Sequence, residues 1–267
     1  MPILKCGDTW FFGFDRLMGT SMVNHLLDTK FHGQIILALI AITLGLFGSA
    51  AKAAHGEQTW VQAQKSVVVV NPVWPGYDRP GFGAPKGTAP AGSGVYFSVD
   101  GKAESAFIIT AAHVVEAAES IEIIDFSGKI AKAVIHAIDA RRDIAILRTK
   151  LIGISISIRQ DEPVIGSHVC ALGNSFGLGT GMTCGIVSAV RRSNIGFNDI
   201  EDFIQTDAAV NPGMSGGALV DPQGRLLGLI DGIFTKEADI DAGVNFAISV
   251  PLIQQSLASQ LKAGVQF

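Results

Sequence analysis

The chain has 267 residues, 48% of them hydrophobic and 16% charged, with a formal net charge of −4. That supports a sizeable core, in one domain or two small ones. No basic patch or Lys/Arg run is present, so a nucleic-acid partner is not expected.

Residues 1–34 are weakly patterned. Ile35 to Phe47 then forms an uncharged run of 13, followed by small residues from Gly48 to Ala54. Such a run is short for a membrane span and suits a signal h-region, with Ala51-Lys-Ala53 as an A-x-A cleavage site. The segment before it is long for an n-region. Initiation at Met18 or Met22, or an uncleaved membrane tether through residues 35–51, are the alternatives. Each reading exports the bulk of the chain, as a periplasmic or secreted protein or as one anchored at the inner membrane and facing outward. Without residues 1–53, sixteen basic and twenty-one acidic residues remain, a net of −5. Cys6 falls in that leader. Cys170 and Cys184 remain and permit one disulfide across what reads as a hairpin; two buried thiols fit equally well.

From Ala54 the pattern is β. A brief polar segment leads to a strand over 65–70, and residues 71–93, dense in Pro and Gly, read as a long surface loop. Strands follow over 94–99 and 106–110 around an Asp100-Gly101 turn, then a short helical turn at His113. Further strands are read over 120–126, 129–138 and 143–148. After a linker near 150–163 come strands over 164–172, 182–190, 202–205, 216–220, 225–230 and 244–250. Many short strands with turn signals every 8 to 12 residues predict an all-β fold, antiparallel barrels or a sandwich. The tail over 251–262 carries apolar residues at 252, 253, 257 and 261, one face of a helix. Gly177-Leu-Gly-Thr-Gly181 runs into a strand rather than a helix, which argues against a dinucleotide site.

The chemistry concentrates in Asp207-Ala-Ala-Val-Asn-Pro-Gly-Met-Ser215-Gly-Gly-Ala-Leu-Val220. Glycines around a serine let the chain turn tightly, so that backbone N–H groups converge on one oxygen. A serine needs a base, and the base a third group to orient it. All six histidines (His25, His32, His55, His113, His136 and His168) precede Ser215. The order serine, acid, histidine of α/β-hydrolases is therefore closed, and histidine, aspartate, serine remains. His113 stands where a strand ends, whereas His136 and His168 read as structural or surface residues. Among the acids, Asp143 directly precedes an apolar strand, which suits a buried orienting group better than Asp139 or Asp125.

These residues carry a resemblance. Thr110-Ala-Ala-His113, Asp143-Ile-Ala-Ile-Leu147 and Gln205-Thr-Asp-Ala-Ala-Val-Asn-Pro-Gly-Met-Ser-Gly-Gly217 resemble the three catalytic boxes of trypsin-like serine proteases of the HtrA/Deg type. Gly92-Ser-Gly94, Ala171-Leu-Gly-Asn-Ser-Phe-Gly177, Gly185-Ile-Val-Ser-Ala189 and Phe246-Ala-Ile248 add to it, over about residues 60–250. The resemblance implies two six-stranded antiparallel β-barrels, about 60–150 and 164–250, with a helix over about 251–263. It implies a catalytic triad of His113, Asp143 and Ser215, and an oxyanion hole from the N–H groups of Gly213 and Ser215. It covers the protease domain alone; the PDZ domains usual in that branch are not expected here. Met214 replaces the usual Asn before the serine, and Asp231 stands where a small polar residue is common beside the cleft. Ala209, followed by Val210, is placed in the floor of the S1 pocket, with Asp231 as the rival determinant of specificity. The resulting expectation is an exported serine endopeptidase without metal or cofactor, acting on protein or peptide substrates. A catalytically idle binding or chaperone module is the alternative.

Overall fold

The computed structural model describes residues 55–74, 91–233 and 243–266. The expectations for the leader over residues 1–53, and for the middle of the Pro/Gly-rich loop, lie outside the described residues.

Among the described residues, helix α1 (His55–Ala63) and a 3₁₀ turn (Gln64–Ser66) lead into twelve strands. The first six are β1 (Val67–Val73), β2 (Gly92–Tyr96), β3 (Glu104–Ala111), β4 (Ser120–Ile124), β5 (Ile130–Asp139) and β6 (Ile144–Ile154), with the one-turn helix α2 (Ala112–Val115) after β3. The second six are β7 (His168–Gly173), β8 (Gly181–Arg192), β9 (Phe203–Thr206), β10 (Ala218–Val220), β11 (Leu226–Ile233) and β12 (Asn245–Ser249), and helix α3 (Val250–Lys262) follows. They close into two antiparallel barrels, ordered β1-β2-β3-β6-β5-β4 and β10-β11-β12-β9-β8-β7. Closure removes the free sheet edges that antiparallel strands would otherwise expose.

Each barrel fills with inward-facing apolar side chains. Val68, Ile108, Ile123 and Leu147 pack inside the first, and Val169, Val187, Leu219 and Ile230 inside the second. A third cluster joins Val67, Phe97 and Ile146 of the first barrel to Leu172, Phe203 and Phe246 of the second and to Leu252, Ile253 and Leu257 of α3. Leu261, read as part of that helical face, is 46% exposed, so the buried stripe ends a turn earlier.

Two expectations are corrected. The polar segment before β1 is helix α1, whose buried face is made of Thr59 and Ala63. The linker placed from residue 150 starts later, because β6 runs on to Ile154 and pairs its end with Glu104 and Ser105 of β3. The disulfide left open by the sequence is formed. Cys170 and Cys184 face each other directly across the β7–β8 pair and are bonded.

Candidate active site

The first barrel supplies an imidazole and its carboxylate. Ala112 N–H donates to the Asp143 main-chain carbonyl at 3.1 Å, fixing the start of α2 against the start of β6. Asp143 sits at φ +54, a left-handed conformation that Asp tolerates better than most residues. From there its carboxylate takes two donors of one residue: His113 N–H to Oδ1 at 2.8 Å and His113 Nδ1 to Oδ2 at 2.6 Å. That pairing leaves Nε2 as the free basic nitrogen of the ring. Asp143 is 7% exposed. Burial alone would push its carboxyl up, but the bonds from the His113 ring, from Asp231 and from the His113 backbone hold it below the usual range.

The rival acids and bases lie elsewhere. Asp139 pairs with Arg142 at 2.9 Å and accepts Ser256 Oγ of α3 at 2.8 Å. Asp125 closes the β4–β5 turn by accepting the N–H groups of Ser127 and Lys129. His136 bonds the Gln266 carbonyl at 2.6 Å, and His168 opens β7 on the surface.

The second barrel supplies the serine on the loop between β9 and β10. The peptides of this loop are pinned one by one. Met214 N–H donates to Asn211 O at 3.0 Å, Gly216 N–H to Ile230 O at 2.7 Å and Gly217 N–H to Met214 O at 2.9 Å. Phe176 N–H takes the Pro212 carbonyl at 2.7 Å. A trans peptide points its N–H opposite its carbonyl, so this bond aims the Gly213 N–H the other way. Among the described residues, the N–H groups of Gly213 and Ser215 are the two in 213–217 that reach no acceptor. Gly213 holds φ +95, and a Cβ there would strike the Asn174 carbonyl. Gly216 holds φ +80, and a Cβ there would strike the Ser93 carbonyl and Thr110 Oγ1. Only glycine fits either position.

The Ser215 hydroxyl donates to the Asp231 main-chain carbonyl at 3.1 Å and makes no bond to His113. The barrels nonetheless meet here. A His113 ring nitrogen, an Asp143 oxygen and an Asp231 oxygen lie within 4.8 Å of one another. This is the donor set with metal-ligand potential among the described residues, and the His113–Asp143 bond already engages it. Asp231, 6% exposed, thus turns its carboxyl to the Asp143 carboxyl. Ala208 and Val210 are buried in the second barrel and Ala209 between them is partly exposed, so the loop after β9 presents Ala209 and not Val210 outward.

A model of the trypsin-like peptidase domain matches residues 92–229, more than half of the chain. The chain belongs to the trypsin-like peptidase family. Within it the relatives are of the HtrA/Deg type. This trypsin-like chain is 38% identical over 176 residues to a probable periplasmic serine endoprotease, DegP-like, of Buchnera aphidicola subsp. Baizongia pistaciae, an alignment covering 65% of the chain and 37% of the relative. It is 36% identical over 177 residues to periplasmic serine endoprotease DegP of Escherichia coli (strain K12), covering 65% and 36%. The chain therefore spans little more than a third of the length of these curated relatives. Among solved structures, the HtrA-type protease AlgW with a tripeptide superposes with a TM-score of 0.68 at 32% identity, over 78% of this chain and 64% of that one. The serine endoprotease from Yersinia pestis gives 0.61 at 32%, over 78% and 67%. The trypsin-like double barrel inferred from sequence is the fold observed.

One residue group escaped the sequence reading: Ser93, with Asn174 and Phe176. Ser93 is fully buried on β2, donates from Oγ to Gly213 O at 2.8 Å and accepts Asn174 N–H at 2.8 Å. Its N–H also donates to Ser215 O at 2.9 Å. The signal was the serine of Gly92-Ser-Gly94, visible as a motif but mute about its partner.

Proposed function

We propose that this chain is a serine endopeptidase, exported to the periplasm or secreted, that hydrolyses peptide bonds of unfolded or damaged proteins through an acyl-enzyme. Ser215 attacks the carbonyl. His113 takes the serine proton on Nε2 and returns it to the leaving amine, while Asp143 holds Nδ1–H and stabilises the imidazolium. The tetrahedral oxyanion is received by the N–H groups of Gly213 and Ser215. The observation that carries this reading is the selective pinning of the catalytic loop: every other N–H from Met214 to Gly217 is spent, and these two are left to a substrate. The hydroxyl must rotate from Asp231 O toward His113 before attack. The names of the relatives, periplasmic serine endoproteases, support export, and a surface disulfide suits an oxidising compartment.

For specificity, Ala209 is the floor residue. Thr183 Oγ1 holds its carbonyl at 2.6 Å, and the buried Asn245 holds that of Ala208 at 2.9 Å. A small uncharged floor favours Val, Ala or Leu at P1, since a Lys or Arg there would bury an unpaired cation. Fluorophosphonate labelling of wild type against Ser215→Ala tests the activity: label on the wild type alone supports it, and an unlabelled, inactive wild type favours the idle binding module. A P1-varied peptide library read by mass spectrometry tests specificity, and cleavage mainly after Lys or Arg would overturn the apolar floor.

A further inference from the structure

The disulfide stands next to the residues that hold the proposed S1 floor. Strand β8 outruns its neighbour β9, which pairs with it only from Val187 onward; among the described strands, Gly181 to Ile186 pair with β7 alone. On their other side lies the segment after β9 that carries Ala209, which belongs to no strand. Side chains join the two. Thr183 Oγ1 donates to the Ala209 carbonyl at 2.6 Å, Ile186 N–H donates to Asp207 Oδ1 at 2.7 Å, and Thr206 Oγ1 donates to the Ile186 carbonyl at 2.7 Å. Gly185 runs so close to this segment that a Cβ there would stand 2.5 Å from the Ala208 nitrogen. Cys184 lies in the middle of these residues and is bonded to Cys170 across the β7–β8 pair. On its far side β7 pairs with β10, through Cys170 to Leu172. The bond therefore ties an overhanging strand end to a strand held from both sides. A strand end with one backbone neighbour opens locally more readily than one with two.

We propose that Cys170 and Cys184 are positioning residues for P1 selection, joined by a bond that a dithiol can open. Closed, the bond fixes the floor and sharpens the choice of P1 residue; opened, it relaxes that choice and leaves the nucleophile competent. This rests on the protease reading above and deepens its specificity. The proposed oxyanion site does not share the support, because its loop is fixed by Ser93, Phe176 and Asn211. Cys170 is 5% exposed and Cys184 lies on the surface, so an attacking thiolate reaches the Cys184 sulfur. A new S–S bond forms between the dithiol and Cys184, the Cys170–Cys184 bond breaks, and Cys170 leaves as a thiolate that takes up a proton. The second thiol of the dithiol, deprotonated, attacks the mixed disulfide, closes a cyclic disulfide and releases Cys184, which is protonated in turn. Two electrons and two protons pass to the protein, and the dithiol is oxidised.

The test reads the wild type before treatment with dithiothreitol, after it, and after reoxidation with oxidised glutathione, with free thiols counted at each stage. On reduction, kcat/KM for a peptide with valine at P1 should fall by about 10-fold, mainly through KM, and the preference for valine over phenylalanine should narrow by about as much. Reoxidation should restore both. Labelling by a small fluorophosphonate that carries no P1 side chain should stay within about twofold throughout. Cys170→Ala/Cys184→Ala should show the reduced profile with or without the dithiol, and Thr183→Val should show it with the disulfide intact. Hydrogen exchange should quicken about 10-fold on reduction in peptides covering 181–186 and 207–210, with first-barrel peptides unchanged. Identical P1 profiles and identical exchange before and after reduction overturn the proposal. So does a labelling rate that falls in step with P1 selection, which would make the bond a general staple of the barrel. The exchange readout needs neither turnover nor a variant. A wild type that fails to label therefore refutes the protease reading, and the hold of the disulfide on residues 207–210 stands or falls by its exchange.

Discussion

Asp143 concentrates the chemistry of the first barrel in one side chain: its backbone carbonyl fixes Ala112, one carboxylate oxygen fixes the His113 backbone and the other fixes the ring. If the three residues act as a unit, Ser215→Ala and His113→Ala should each lower kcat by about 10⁵- to 10⁶-fold, with little further loss in the double mutant. Asp143→Asn should cost about 10⁴-fold by presenting the wrong tautomer. Asp139→Asn should leave kcat nearly untouched while weakening the fold, because its partners are Arg142 and Ser256 rather than the imidazole. Kinetics on purified variants decide, and the reverse ranking of the two aspartates would move the acid role. The same carboxylates set acid stability. Asp143 is held low as described, and in Glu201 the backbone N–H groups of residues 195–198 outweigh the upward push of burial. A folded-state pKa below the unfolded one gives stability that is complete above the ordinary carboxylate range and is lost as pH falls through the folded value. Thermal stability should therefore fall with acid below about pH 4, and less steeply in Glu201→Gln and Asp143→Asn. Identical slopes in all three proteins would remove these two groups as the cause.

At the scale of elements, the proposed oxyanion site depends on β2 of one barrel holding the β9–β10 loop of the other. The Ser93 hydroxyl stands between Gly213 O and Asn174 N–H, and the Asn174 segment in turn carries Phe176, whose N–H orients the Pro212–Gly213 peptide. Ser93→Ala leaves a buried donor and a buried acceptor unpaired, about 1–3 kcal/mol each. We expect kcat to fall by about 10- to 100-fold through a misaimed Gly213 N–H, with KM changed much less. A Ser93→Ala enzyme with wild-type kcat and an intact fold by near-UV circular dichroism would show that the loop holds itself. None of this linkage was legible in the sequence, since Ser93 and Gly213 are 120 residues apart. The strands were legible because burial alternates along them, as in β4, or because an apolar run is buried without a break, as in Ile144 to Leu147 of β6. Helix α1 was not, because the residues it buries, Thr59 and Ala63, are small or polar, and Thr59 is satisfied by the Pro222 carbonyl at 3.0 Å. The aim of Asp231 was hidden for a related reason. Alternation along β11 predicts two faces, and the register shift before Gly232 breaks it.

Over the whole of the domain, the two barrels are tied by helices that cross over. Helix α1, which precedes the first barrel, docks through Thr59 on the β10–β11 turn of the second. Helix α3, which follows the second barrel, docks through Ser256 and Gln260 on Asp139 and the Ile138 carbonyl of the first. The cleft residues are thereby held from both ends of the domain as well as at Ser93. This bears on how the site becomes competent. A serine protease that waits for a newly freed amine needs a carboxylate beside the nucleophile to receive it. Here that position is Met214, fully buried among the apolar side chains of the second barrel. An ammonium group has no partner there, and burying one would cost several kcal/mol. The loop's peptides are instead fixed by bonds internal to the domain. Protein that retains residues before Ala54 should therefore label with fluorophosphonate at the same rate as protein that starts at Ala54, measured side by side with active-site titration. Substitution of Met214 by Leu, which keeps the buried volume, should preserve labelling, whereas Met214→Asp should lose it together with thermal stability. Labelling that appears only after a cut near residue 54 would mean that the new terminus, and not the bonds to Ser93, Phe176 and Asn211, completes the oxyanion site.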